Sequence, residues 1–390
     1  MYLCVGCNSG RQSESEKNAK MKRYIQILIL LIFTIQVYSQ EYDRWFIEKN
    51  NGNMGFINSL GNEIFFAKFD FLSEHYYSGL VSYKKKSKYG YLDIYGKVVF
   101  TTNNYYGEFS ENLLSVENDG NFYFLDTSGQ KAIELTELKI PNGKEIFRVC
   151  NFYSGLALVI IKDNYSDNDL AYGFIDKTGK WFLEPIFQHS TSFVEGIAYV
   201  VKDNKGYLMD TKGNFITQLD DKNGMITQSG DSDLFDLSEG FVLVYFDSVT
   251  VNTSFSTSFI NKKGERITSQ LFERANKFSD GMAAIQLDNK WGFIDTTGNI
   301  VIQPQYDIRS NFSEGLAPVY ISIEEAGQGF IDKTGAAVIP FQPHVSYGGF
   351  RNGLTKGRRF IYENKKYTGK YEFFYMSKNG EKIWSEIVKQ

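Results

Sequence analysis

The stretch WGFIDTTGNIVIQPQYDIRSNFSEGLAPV, residues 291–319, contains two phrases that recur along the whole chain. The first phrase is an aromatic residue, an aliphatic residue, Asp or Asn, two variable residues and Gly. It ends at Gly61, Gly96, Gly129, Gly179, Gly213, Gly264, Gly298, Gly335 and Gly380, at spacings of 33 to 51 residues. The second phrase, FSEGLA in its clearest form, lies between copies of the first, at Gly79, Asn112, Gly155, Gly196, Gly240, Gly281, Gly315 and Gly353. Two phrases alternating in constant order indicate about nine tandem copies of one unit.

Each phrase predicts a reversal of the chain. In GFIDKTG the Asp176 carboxylate can accept from backbone N–H groups of the turn, and Gly179 supplies a positive φ. The following WFLEPIF then returns as the second strand of a hairpin. In FSEGLA, Phe312 is expected in the core, Glu314 and Gly315 form a turn, and a new strand begins at Leu316. Each unit therefore predicts three antiparallel strands, or four if the segment before FSEG is extended.

Helices are not expected in this repeat region. Beyond residue 40, no segment keeps the apolar spacing of a helix for twelve residues without Gly or Pro. Aromatic residues make up 16% of the chain, and the 35 Gly residues greatly outnumber the 6 Pro residues. The sequence predicts an all-β protein whose longer spacings are polar loop insertions.

The residues KWGFIDTTG, which end at Gly298, together with the preceding FSDGMA, resemble the bacterial WG-repeat family. The resemblance covers nearly all of residues 45–390, although the Trp-Gly pair itself survives only at Trp291 and Gly292. It implies an all-β repeat scaffold, often exported, and brings no established catalytic residues. Stacked units of this kind form either an open curved array or a closed propeller-like ring. We expect the open array, because uneven spacings and a degenerate last copy make an even ring harder to build.

The N-terminal region has the features of an export signal. Lys22 and Arg23 precede an apolar run from Ile25 to Ile35, and small or polar residues follow, which predicts a signal peptide at 21–39. Residues 1–20 are interpreted as a non-native upstream extension, and 41–390 as the repeat array. We expect a periplasmic, outer-surface or secreted protein without a membrane span in the mature chain. Cys150 would be its one remaining cysteine, so packing, not an internal disulfide, would hold it together.

Residues with catalytic or metal-binding potential are scattered. His75, His189 and His344 have no ligand-type spacing, and Cys150 has no histidine near it in sequence, so packing roles are expected. The repeated acids Asp93, Asp126, Asp176, Asp210, Asp295 and Asp332 occur once per unit, and Asn58 and Asn261 replace them. This exchange favours turn capping over calcium binding. The acids of the second phrase (Glu195, Glu239 and Glu314, replaced by Asp280 and Asn352) receive the same interpretation.

Two basic clusters stand out in a chain with a formal charge of −4. One contains Lys84, Lys85, Lys86 and Lys88, and the other contains Lys356, Arg358, Arg359, Lys365 and Lys366. Charged hairpin loops and protected edge strands explain such clusters, and an anionic partner such as a glycan or a lipid head group is the alternative.

The sequence predicts no enzyme, no cofactor, no metal and no nucleic-acid partner. Its first functional interpretation is an exported, non-catalytic scaffold that binds a protein through an extended surface. The alternative is a cell-envelope or carbohydrate-binding module with exposed aromatic rings. A line of exposed rings would favour the alternative, whereas rings buried in the core would favour protein contact.

Overall fold

The computed structural model describes residues 44–49, 51–163, 166–220, 224–226, 236–247, 255–308, 310–322 and 327–389. The predicted signal peptide at 21–39 and the predicted extension at 1–20 lie outside these residues. The repeat region, from Trp45 to Gln390, is one compact unit.

The described residues form nine antiparallel sheets, each a simple succession of neighbouring strands. The first three sheets contain β1 (Trp45–Glu48), β2 (Asn53–Ile57) and β3 (Glu63–Lys68); β4 (Phe71–Leu72), β5 (Val81–Lys85), β6 (Lys88–Leu92) and β7 (Val98–Thr102); and β8 (Leu113–Asn118), β9 (Asn121–Asp126) and β10 (Lys131–Glu134). The next three contain β11 (Lys144–Tyr153), β12 (Leu156–Asp163), β13 (Ser166–Ile175) and β14 (Trp181–Phe187); β15 (His189–Ser190), β16 (Ile197–Lys202), β17 (Lys205–Asp210) and β18 (Phe215–Leu219); and β19 (Leu237–Ser238), β20 (Phe241–Asp247) and β21 (Phe255–Asn261). The last three contain β22 (Arg274–Ala275), β23 (Met282–Leu287), β24 (Lys290–Asp295) and β25 (Ile300–Tyr306); β26 (Leu316–Ile321), β27 (Gly327–Asp332) and β28 (Ala337–Gln342); and β29 (Val345–Arg351), β30 (Leu354–Glu363), β31 (Lys366–Ser377) and β32 (Lys382–Lys389).

This architecture confirms the all-β prediction and the prediction of three or four strands per unit. The described residues contain no helix. Accordingly, no described helix is long and apolar enough to cross a membrane.

The second phrase forms the turn between the first two strands of the four-stranded sheets, and in the sheets that begin at β8 and β26 it immediately precedes the first strand. In FSEGLA both Glu314 (φ 53°) and Gly315 (φ 88°) have positive φ, as a two-residue type I′ hairpin turn requires. The first phrase forms the turn after the third strand, or after the second strand in the sheets that begin at β1, β8 and β26. There the amide of Gly298 (φ 84°) donates to the carbonyl of Asp295 over 3.0 Å.

Aromatic pairs join neighbouring sheets. In seven interfaces the ring of the first phrase in one sheet contacts the ring of the second phrase in the next, as Phe293 contacts Phe312 with ring centroids 4.8 Å apart. The other six pairs are Phe56–Tyr76, Tyr91–Phe109, Phe124–Phe152, Phe174–Phe193, Phe259–Phe278 and Phe330–Phe350. Between the fifth and sixth sheets, Leu208 and Leu237 share a buried cluster instead. The two phrases thus meet in space because each buries the other's ring.

The first and last sheets pack against each other, which closes the array into a ring. The Trp45 indole nitrogen donates to the Arg351 carbonyl over 3.3 Å, and the Tyr375 hydroxyl donates to the Phe46 carbonyl over 2.8 Å. Trp45 and Tyr375 also share a buried cluster with Leu354. The expected open array is therefore replaced by the closed ring, the alternative arrangement.

Uneven spacing does not prevent closure, because the additional residues lie in connections between strands and in lengthened hairpins such as β30–β31. One such connection is residues 135–143, between β10 and β11. The aromatic pair is present after a long spacing and a short one alike, as Phe124–Phe152 and Phe174–Phe193 show.

Candidate functional site

The repeated acids of the first phrase cap their own turns. The Asp295 carboxylate accepts from the amides of Thr297 at 2.9 Å and Asn299 at 3.0 Å. The same pair of bonds, to the second and fourth following residues, is formed by Asp93, Asp126, Asp176, Asp210, Asp332, Asn58 and Asn261. Turn capping is thereby confirmed, and the acceptance of Asn follows because only an oxygen acceptor is needed.

The acids of the second phrase behave differently from the prediction, because they reach the next sheet instead of capping their own turn. The Glu195 carboxylate accepts from the amides of Glu239 at 2.7 Å and Gly240 at 2.9 Å, in the corresponding turn of the following sheet. Equivalent bonds run from Glu111 to Gly155, Glu239 to Asp280 and Gly281, Asp280 to Gly315, and Glu314 to Gly353. We call these contacts latches. They tie the turns of successive sheets into a series.

A lysine of the following sheet completes four of the latches. Lys262 lies 3.2 Å from the Glu195 carboxylate, and Lys333 lies 2.9 Å from that of Asp280. Lys177 with Glu111 and Lys378 with Glu314 form the other two pairs. Burial opposes ionisation of Glu195, but the Glu239 amide and Lys262 outweigh it and lower the pKa. The pKa of Asp280 is lowered in the same way, with Lys333 and the Gly315 amide outweighing burial. The carboxylates of the Glu195 and Asp280 latches are therefore ionised and bonded within the protein.

The histidines lie in three separate places. His75 contacts Arg351 across the ring closure, His189 packs on Tyr172, and His344 stacks on Tyr362. No group of three or more His, Cys, Asp or Glu in the described part of the chain is arranged to hold a metal ion.

The lysines of the first basic cluster have local partners. Lys88 donates to the Asn103 side chain over 2.8 Å, and the Lys84 ammonium lies 5.2 Å from the centre of the Tyr89 ring. The Lys86 amide donates to the Asp70 carboxylate. This cluster mainly supports its own sheet, because its partners lie in or beside β4, β6 and β7.

A cleft of about 650 Å³ lies between the third and fourth sheets, which is the size range of ligand sites. One wall is the segment before β8, with Tyr105 and Tyr106, and the other is β11, with Phe147 and Arg148. Tyr105 is 48% exposed and Phe147 is 50% exposed, so both rings present open faces. The cleft thus combines accessible rings with a cation.

The polar lining of the cleft is held in place by hydrogen bonds. The Asn151 side chain accepts from the Ser115 amide at 2.8 Å and donates to the Glu108 carbonyl at 2.8 Å, which joins β8 and β11. The Tyr105 hydroxyl donates to the Glu108 carboxylate over 3.1 Å. Burial, with the nearby Glu108 charge, raises the pKa of Tyr105 to about 12, so this hydroxyl stays a neutral donor at physiological pH.

The cleft has few groups for chemistry. Among the described residues that line it, Glu117 is the one carboxylate, and histidine is not represented. Cys150 lies at the cleft wall but is buried in the core, 7% exposed, among Leu158 and Phe193. The arrangement suits binding through rings and opposite charges more than proton or acyl transfer.

Sequence reasoning missed this cleft because its walls come from residues 104–107 and 147–151, which lie outside both phrases. One signal was present. The second phrase lacks its glycine at Asn112, beside this site.

A closed ring of nine small antiparallel sheets, each following the last in chain order, is a nine-bladed β-propeller. The family model described as "WG containing repeat" matches residues 54–89, 172–205, 258–291 and 291–321. The chain therefore contains WG repeats in these four places. No curated protein sequence matches it.

Two solved structures show the extent of the likeness to known folds. "Crystal structure of the eukaryotic initiation factor" aligns with a TM-score of 0.50 at 12% identity, over 90% of this chain and 97% of that one. "Structure of apo AztD from Citrobacter koseri" aligns with a TM-score of 0.37 at 13% identity, over 88% of this chain and 94% of that one. At such identity the first likeness concerns the fold alone.

Each matched repeat straddles two blades. The match at 258–291 begins in β21 of the sixth sheet and ends in β24 of the seventh. The duplicated unit therefore contains an interface between blades, not a single blade, and this explains why its two phrases contact each other across that interface.

Proposed function

We propose that this protein is an exported, non-catalytic binding protein that recognises a protein partner, with the cleft between the third and fourth blades as its principal contact. The observation that carries the proposal is the pairing of accessible Tyr105 and Phe147 rings with Arg148 in one concave site. Tyr and Arg dominate the energetics of protein interfaces when they line pockets that exclude water.

The burial of the repeat rings also favours a protein partner over a sugar array. Phe174, Phe293 and Phe330 are at most 1% exposed, so the repeated aromatics form the core and are not available to stack on a ligand. Opposite charges at the cleft, from Arg148 and Glu117, suit a peptide segment with a charged residue beside an apolar one.

The test is selection of peptides from a random displayed library against the wild-type protein, followed by affinity measurement with variants. Phe147→Ala removes a ring from the cleft, and Phe182→Ala removes a 39% exposed ring from the outer strand of the same blade as a matched control. Loss of one anchoring ring is expected to weaken selected peptides roughly tenfold or more. The control is expected to change affinity less than twofold.

Selected peptides that bind Phe147→Ala as well as wild type would contradict the proposal. Binding of neutral oligosaccharides, but of no peptide, at the cleft would favour the carbohydrate-binding alternative. Export rests on residues 21–39, and N-terminal sequencing of the secreted protein tests it; material that begins at Met1 would refute it.

A further inference from the structure

The last blade carries a hairpin that extends beyond those of other blades. Strands β30 and β31 have ten and twelve residues, whereas the corresponding β23 and β24 have six each. At about 3.3 Å per residue, the four additional residues of β30 add about 13 Å. We call residues 358–370 the terminal arm.

The terminal arm is strongly basic in an acidic protein. It contains Arg358, Arg359, Lys365, Lys366 and Lys370 against the single acid Glu363, a formal charge of +4 in a chain of −4. Glu363 lies opposite Lys366 in the strand register. In the described structure, no carboxylate forms an ion pair with Arg358, Lys365, Lys366 or Lys370. Their positive charge is therefore open to an external anion.

Aromatic rings accompany the cations on the arm. Tyr362 and Tyr367 are 42% and 38% exposed, and their centroids lie 5.7 Å apart. Phe360 contacts Tyr367 edge-on, and His344 stacks on Tyr362 at 4.1 Å. Tyr362, Tyr367 and Phe360 belong to none of the buried clusters of the described residues, so these rings lie outside the core of the propeller.

We propose that the terminal arm binds an acidic polysaccharide, with its lysines pairing with carboxylate or sulfate groups and its rings lying against sugar faces. The rings are tilted by 49° and 72°, which does not offer the parallel platforms on which successive nucleic-acid bases stack. The tip, Asn364 and Lys365, is polar, whereas a membrane-inserting tip would present apolar residues. This site is separate from the cleft and does not depend on its function.

The first experiment measures binding of fluorescein-labelled polygalacturonate oligomers by anisotropy. The variant K365Q/K366Q removes two charges from the arm, and K85Q/K86Q removes two from the tip of the β5–β6 hairpin. The pairs match, because Lys365 (φ 61°) and Lys86 (φ 56°) both have positive φ at a hairpin tip. Two exposed charge pairs correspond to about fivefold in affinity, so K365Q/K366Q is expected to bind about fivefold more weakly. K85Q/K86Q is expected to stay within twofold of wild type.

A second variant separates stacking from charge. Tyr362→Leu keeps the arm's charge and apolar bulk, so it is expected to weaken polygalacturonate binding while leaving linear polyphosphate binding unchanged. Wild-type binding is expected to fall between about 50 mM and about 300 mM NaCl, because exposed charges are screened.

Equal affinity of K365Q/K366Q and wild type for polygalacturonate would overturn the proposal. So would capture only by phosphatidylglycerol vesicles or only by oligothymidylate, each measured beside the polysaccharide. Peptide binding at the cleft is expected to be the same in all arm variants, so failure here leaves the proposed function separately testable.

Discussion

Replacement of Gly61 by Ala tests the packing of the first blade against the last. Gly61 has φ +79°, and a Cβ at this position would lie 2.7 Å from the Ile383 carbonyl oxygen of the last blade. Gly380 occupies the equivalent turn of the last blade, with φ +83°, but a Cβ there meets nothing within 4 Å. Both substitutions place a side chain on a residue with positive φ, but only Gly61→Ala also crowds the Ile383 carbonyl.

The expected magnitudes follow from that difference. A non-glycine residue in the left-handed region costs about 1–2 kcal/mol, which applies to both variants. Crowding against a backbone atom adds roughly 1–3 kcal/mol for Gly61→Ala alone, because a carbonyl in a strand cannot move aside cheaply. We therefore expect Gly380→Ala to destabilise the protein by about 1–2 kcal/mol and Gly61→Ala by about 2–5 kcal/mol.

Urea denaturation followed by tryptophan fluorescence is the assay, because Trp45 and Trp384 both lie in the cluster that joins the first and last blades. The expected result is a lower midpoint for Gly61→Ala than for Gly380→Ala, with both below wild type. Equal midpoints for the two variants would refute the closing contact, since an unpaired first blade leaves Gly61 with the backbone cost alone.

Three further predictions concern the turns and latches. Asp295→Asn is expected to leave stability nearly unchanged and Asp295→Ala to lower it by about 1 kcal/mol in urea denaturation, because only Ala removes the acceptor; equal losses would contradict turn capping. Glu195→Gln is expected to lower the free energy of unfolding by about 1 kcal/mol, seen as a lower urea midpoint, because Gln cannot pair with the Lys262 charge and keeps one oxygen for the two backbone amides; an unchanged midpoint would mean that the latch adds nothing. The lowered folded pKa values of Glu195 and Asp280 predict stability that is complete above their unfolded values, near pH 4, and that is lost as pH falls through the folded values. Urea midpoints from pH 7 to pH 3 test this, and a smaller acid loss in Glu195→Gln than in wild type is expected; identical pH profiles would contradict it.

The local structure was predictable because each phrase contains the residues that its turn and its buried ring require. Phe312 is apolar at a fixed distance from a turn, and Gly298 and Asp295 supply the φ and the acceptor that the turn needs. Such features depend on neighbours in sequence, and the same residue pattern recurs from copy to copy.

The latches were misinterpreted because each turn was considered alone. A signal was available in the lysine that follows the capping Asp or Asn of the first phrase, at Lys177, Lys262 and Lys333. In the structure these lysines reach the acid of the preceding blade, and a cation repeated beside a repeated acid indicates a contact between copies.

The glycine of the Trp-Gly pair is required by a backbone contact that the sequence does not show. A Cβ on Gly292 would lie 2.4 Å from the Ile302 carbonyl oxygen, because the fourth strand passes unusually close at that point. The tryptophan can be replaced because it contributes packing. The glycine leaves room for the backbone of the neighbouring strand.

Closure was beyond local reasoning because it depends on the angle between blades, summed around the ring. No sequence pattern shows that Trp45 and Tyr375 share one cluster, and the open array was expected from the uneven spacings and the degenerate last copy. The cleft was equally hidden, because it arises where the segments around Tyr105 and Phe147 depart from the repeat.

Zero-length carbodiimide crosslinking with mass spectrometry tests the closed ring most directly. Glu74 and Lys356 belong to the second and last blades and lie 3.1 Å apart, although 282 residues separate them in sequence. Glu111 and Lys177, 2.9 Å apart in successive blades, are the positive control, because they meet in an open array as well. The ring predicts both crosslinked peptides in monomeric protein. Detection of the Glu111–Lys177 crosslink without the Glu74–Lys356 crosslink would contradict closure.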